Sequence, residues 1–168
     1  MRKHILLLIT LLVTLEVTAQ NNENFYFSNL NLKDGLSQIS VLKIFQDTKG
    51  FIWFGTRNGL NRYDGSEFVI YKHDPKDSLT LSDNHIWSLA EDNDRNLWIG
   101  TARGLNKLDL KTNRIKPFVD ERYGAFAKSE VRCLTVDSRN RLWIGTTKGL
   151  YLYVPAMDVF CLLYTSDA

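Results

Sequence analysis

Short apolar runs separated by turn residues carry most of the chain, and the strand-like ones alternate hydrophobic and polar positions. Val41 to Gln46 is apolar-rich, and Asp47-Thr48-Lys49-Gly50 follows as a turn in which the carboxylate can bond a backbone N–H two residues on and Gly can take positive φ. Phe51 to Thr56 is aromatic and β-branched, with Ile52 and Phe54 on one face and Trp53 on the other, which predicts a strand. Arg57-Asn58-Gly59 turns the chain, Leu60 to Asp64 runs back, Asp64-Gly65 is a hairpin signal, and Phe68 to Tyr71 supplies a further strand. Beyond the first residues no window sustains a helical period.

The same grammar returns. Trp53-Phe54-Gly55-Thr56, Trp98-Ile99-Gly100-Thr101 and Trp143-Ile144-Gly145-Thr146 recur at a constant interval of 45 residues. Six residues before each Trp stands Asp47, Asp92 or Asp137, and after each Gly-Thr, at one offset, comes Gly59-Leu60, Gly104-Leu105 or Gly149-Leu150. Ile44, Leu89 and Leu134 hold the place three residues before each Asp. One unit of four antiparallel strands, used three times, predicts an all-β chain built as part of a β-propeller. The expected blades cover about 39–80, 84–125 and 129–160. A small sheet with two apolar faces must stack on its neighbours, and a Trp at one phase of every second strand would fill the wedge between sheets. The Gly-Thr beside it lets backbones approach. Residues demanded in every blade cannot mark a unique site, so these Asp, Trp, Gly and Thr positions read as scaffold. Closing a ring takes about 4–8 blades; three leave it incomplete, which reads as a piece of a longer protein. Residues 161–168 match nothing in the earlier blades and read as translated non-genomic sequence, the alternative being a genuine but divergent strand.

The N-terminus adds a destination. Arg2, Lys3 and His4 precede an apolar run of 11 residues from Ile5 to Leu15, and Val17-Thr18-Ala19 places small residues at a cleavage site. The run is too short for a bilayer, which needs about 20 residues, so residues 1–19 read as a removed signal peptide and residues 20–168 as the exported chain. A formal net charge of +2 leaves no basic surface to expect nucleic acid. Cys133 and Cys161 are too few for a disulfide framework or a metal knuckle.

Candidate chemistry is sparse. Of His4, His73 and His85, the first leaves with the signal, and neither of the others sits in a helical phospho-acceptor motif. Gly55-Thr56-Arg57-Asn58-Gly59 lacks the Lys and helix of a phosphate loop. His73, Asp74 and Asp77 read as a solvated loop rather than metal ligands, and Glu91-Asp92 ends a strand where Asp92 already has a turn to make. Catalytic, metal and cofactor sites are expected to be absent. Specificity is expected in unrepeated loops: His73 to Asn84 is polar, and Asp120 to Ser129 offers Arg122 and Tyr123, an aromatic face with a polar rim, as candidate ligand contacts.

FQDTKGFIWFGTRNGLNRYDG, AEDNDRNLWIGTARGLNKLD and VDSRNRLWIGTTKGLYLY together resemble the repeats of the two-component regulator propeller, from about Phe25 to about Phe160. The resemblance implies the periplasmic sensor part of a Bacteroidetes-type sensor histidine kinase, anchored in the inner membrane as a homodimer when complete. It also implies a kinase in later domains and an oligosaccharide as the ligand. The competing expectation is a secreted carbohydrate-active or carbohydrate-binding propeller. Sialidase-type propellers repeat Ser-x-Asp-x-Gly-x-Thr-Trp, however, whereas here the Gly of the first turn gives way to Arg95 and Asn140 and the Trp is spaced differently.

Overall fold

The computed structural model describes residues 28–118 and 125–165. Twelve strands form three four-stranded antiparallel sheets, each a simple meander. Sheet 1 holds β1 (Val41–Gln46), β2 (Ile52–Thr56), β3 (Gly59–Tyr63) and β4 (Phe68–Tyr71). Sheet 2 holds β5 (Ile86–Glu91), β6 (Asn96–Thr101), β7 (Gly104–Asp109) and β8 (Arg114–Phe118). Sheet 3 holds β9 (Val131–Val136), β10 (Leu142–Thr146), β11 (Gly149–Val154) and β12 (Val159–Thr165). Among the described residues the remaining regular structure is three short 3-10 turns, and no helix is long and apolar enough to cross a membrane.

Because side chains alternate across each sheet, two separate cores form where sheets meet. Trp53 and Leu60 of sheet 1 pack with Leu97, Ile99 and Leu108 of sheet 2. On the other face of sheet 2, Trp98, Leu105 and Phe118 pack with Leu142, Ile144, Tyr151 and Tyr153 of sheet 3. First strands lie innermost, β1 against β5 and β5 against β9, so the sheets fan about a common inner edge. Trp143 has no sheet beyond it among the described residues and is only half-buried, whereas Trp53 and Trp98 are fully enclosed. Its exposure, with that of Ile44 on the far face of sheet 1, marks the open ends of an incomplete ring.

The third blade runs further than its expected end at Phe160. Residues 161–165, which no earlier blade matches, continue β12, paired with β11 from Val154↔Val159 to Gly149↔Thr165. Backbone N–H and C=O groups pair whatever the side chains are. Phe160 reaches the core, 4.5 Å from the Tyr153 ring, while Leu162, Leu163 and Tyr164 stay exposed.

Candidate functional site

The repeated residues form one polar clamp per sheet. Each Asp divides its two oxygens. Oδ1 accepts the backbone N–H two and four residues on, at 2.9 and 3.1 Å for Asp47, 3.0 and 2.9 Å for Asp92, and 2.9 and 3.0 Å for Asp137. Oδ2 accepts the indole N–H of Trp53, Trp98 or Trp143 at 2.9, 2.8 and 3.0 Å. One carboxylate thus ties the β-turn to the ring that fills the wedge, which gives the six-residue spacing a physical cause. The fourth turn position needs positive φ and has it at Gly50, Arg95 and Asn140, with φ of 91°, 71° and 59°. Each Thr closes the next hairpin, its hydroxyl donating to the carbonyl of Gly59, Gly104 or Gly149 at 2.9 Å.

Hydrogen bonds from the Trp143 indole and then from the Arg141 side chain hold the Asp137 carboxyl well below the usual carboxylate range. A carboxyl lowered in the folded state takes up its proton more readily once unfolded. The contribution of this clamp is therefore complete above about pH 4 and is lost as pH falls from there. Asp137→Asn is expected to lower stability at pH 7 and to flatten the acid limb of unfolding, read by circular dichroism between pH 7 and pH 2; an unchanged acid limb would refute this.

Unrepeated chemistry collects in two places. One is a cleft of about 420 Å3 beneath the polar loop, lined by His73, Leu81, Arg103, Pro117 and Lys128 among others. There the His73 Nδ1 sits 2.6 Å from the Leu81 carbonyl, and the carboxylates of Asp74 and Asp77 accept backbone N–H groups of Lys76 and Leu79, so these loop residues shape turns. The other is the inner rim, where the His85 and Trp87 rings stack at 4.1 Å and the Arg132 guanidinium lies 4.1 Å from the Trp87 ring centre. Burial first, and the Arg57 charge second, push His85 below the usual histidine range. Sequence reasoning missed this rim: Trp87 lacks the repeated context of the other tryptophans, and Arg132 is 45 residues away from it. Glu91 also proves structural, its carboxylate accepting the Thr48 backbone N–H and hydroxyl of the neighbouring sheet at 2.8 and 2.9 Å. Arg122 and Tyr123 lie outside the described residues. Among the described residues no group of three His, Cys, Asp or Glu side chains is placed to hold a metal.

The family model of the two-component regulator propeller matches residues 35–58, 80–103 and 126–148, one segment per sheet, each taking in a Trp-x-Gly-Thr strand. The chain carries two-component regulator propeller repeats. A relative of these repeats, histidine kinase P4 of Formosa agariphila, is 47% identical over 70 residues, which is 42% of this chain and 5% of that one. Among solved structures, the extracellular domain of a protein assigned as a one-component system of B. thetaiotaomicron is 27% identical with a TM-score of 0.64, over 80% of this chain and 18% of that one. PorZ, a surface component of the type-IX secretion system of Porphyromonas gingivalis, shares the fold at 17% identity and a TM-score of 0.60, over 75% of this chain and 21% of its own. The regulator propeller repeats here thus span a small part of each relative.

Proposed function

We propose that this chain is the extracytoplasmic, ligand-sensing propeller segment of a two-component sensor histidine kinase, and that its ligands are oligosaccharides. The observation that carries the reading is the match of all three sheets to regulator propeller repeats, with 47% identity to a histidine kinase over 70 residues. The likeness to an extracellular domain supports a place outside the cytoplasm, as does the signal-like start at residues 1–19. On this reading the open faces of sheets 1 and 3 receive further blades of the same polypeptide, and phosphotransfer belongs to later domains. The repeats themselves supply a rigid frame whose unrepeated loops and rim bind ligand, since function lives in sites carried by folds rather than in the folds.

The test is calorimetric titration of the full-length protein, reconstituted in membranes, with an oligosaccharide panel, beside histidine autophosphorylation with and without each sugar. Saturable binding that alters phosphate incorporation is the expected result. A full-length protein that hydrolyses glycans and incorporates no phosphate would overturn the reading in favour of a secreted carbohydrate-active propeller.

A further inference from the structure

Each sheet turns one set of four residues toward the sheet that follows it. Trp53, Gly55, Leu60 and Tyr71 face sheet 2, and Trp98, Gly100, Leu105 and Phe118 face sheet 3. In both sets the fourth-strand aromatic stands opposite the Leu, as Leu60↔Tyr71 and Leu105↔Phe118, and lies 5.7 or 5.6 Å from the Trp ring. Sheet 3 carries the set again on its far face as Trp143, Gly145, Leu150 and Tyr164, because its pairing skips Leu163 and sets Tyr164 opposite Leu150. There Trp143 and Leu150 are half-buried and Tyr164 is exposed, whereas Trp53, Leu60, Trp98, Leu105 and Phe118 are enclosed. The Trp143 indole is tied to Asp137 at 3.0 Å, so the ring cannot turn away from this face.

Two further contacts recur across the sheet boundaries. The first amide after the clamp Asp crosses to the next sheet: the Thr48 N–H donates to Glu91 and the Asn93 N–H to the Asn140 side chain, each at 2.8 Å. The Ser138 N–H, next in the series, meets no acceptor among the described residues. The second-strand glycine receives the first residue of the next innermost strand, Ile86 at Gly55 and Val131 at Gly100, while Gly145 has only Cys133 of its own sheet within 4 Å. Val41, Ile86 and Val131 open the three innermost strands and are all β-branched, side chains that fill the space a missing Cβ leaves.

We infer that the far face of sheet 3 docks one further blade of the same repeat, which lays a β-branched residue on Gly145, gives a side-chain acceptor to the Ser138 N–H and covers Trp143 and Tyr164. That the blade belongs to the same polypeptide rests on the reading proposed above; the contacts rest on the two interfaces in which they are already made. Sheet 1 of a second copy fits less well. At the places of Glu91 and Asn140 it has Gln46, whose amide donates to the Gly50 carbonyl of its own turn at 3.3 Å, and Gly50, which has no side chain.

The experiment is hydrogen exchange of the full-length protein, resolved to single amides, with Thr48 and Asn93 as internal standards. The Ser138 N–H is expected to exchange about tenfold or more slowly than an open amide, as the two standards do, and its protection to survive dilution by about a hundredfold. In a Cys133→Ala background, which clears the space beside Gly145, Gly145→Ala is expected to lower the melting temperature about as far as Gly100→Ala does. A Ser138 amide that exchanges as an open one, or a silent Gly145→Ala, would overturn the docked blade. Protection that disappears on dilution would overturn it in favour of a second copy. None of these readouts involves phosphate or sugar: a protected Ser138 in a protein that incorporates no phosphate would leave this inference standing without the sensing function, and an open Ser138 in a sugar-responsive kinase would do the reverse.

Discussion

Replacing Trp98 by alanine is expected to cost about 3–5 kcal/mol, because nothing nearby can fill the space. The ring is 1% exposed and sits where sheets 2 and 3 converge, 5.6 Å from the Phe118 ring and 5.1 Å from the Tyr153 ring. Those neighbours are themselves committed: Tyr153 packs on Phe160, and its hydroxyl donates to Asp158 at 2.8 Å. Truncation also removes the indole donor from Asp92, whose Oδ2 keeps only the Asn96 side-chain amide at 2.9 Å. The loss is thus part cavity and part broken clamp. Trp98→Phe separates the two, since it keeps most of the ring volume while deleting the N–H, and should cost clearly less than alanine. Denaturant unfolding of the three proteins checks the order; equal stability of Trp98→Ala and wild type would mean the ladder does not hold the sheets together.

The second large effect is expected from the smallest change. A Cβ at Gly100 would lie 2.6 Å from the Val131 carbonyl and 2.8 Å from its Cγ1, besides striking the Ser88 hydroxyl. The hydroxyl can rotate, but the carbonyl belongs to the innermost strand of the next sheet and cannot yield without moving β9. Gly100→Ala is therefore expected to cost about 1–3 kcal/mol, as overpacking does, and to loosen sheet 3 against sheet 2. Gly55 shows the same constraint one period earlier, its Cβ position lying 2.8 Å from Cγ2 of Ile86 in β5. Gly50 is the contrast. It has nothing within 4 Å and needs only positive φ, which Arg95 and Asn140 achieve in the other sheets. Gly50→Asn should accordingly be nearly silent. Thermal melts of Gly100→Ala and Gly50→Asn side by side test the distinction, and a silent Gly100→Ala would refute close approach as the reason for that glycine.

The 45-residue period was legible as repetition, and the four strands in each unit and the three turns between them were legible because each depends on residues within a few positions of one another. An Asp four places before the next strand, a Gly or Asn able to take positive φ, and an alternating aromatic run make their structure locally. Repetition made that reading secure, since the same local argument could be made three times. The expected end of the third blade at Phe160 illustrates the limit: side-chain patterns lost the strand there, while backbone pairing carried it to Thr165. Only the tertiary structure decided that the Asp carboxylate also takes the indole N–H, that Trp143 is left half-covered while Trp53 and Trp98 are enclosed, and that Trp87 meets Arg132 at the inner rim. The last of these contacts joins residues one 45-residue period apart on neighbouring sheets, and because different residue types stand at that repeated position, no common residue betrays it. They come together because the sheets must bury their apolar faces against one another, and the stacking that results fixes which parts of distant units touch.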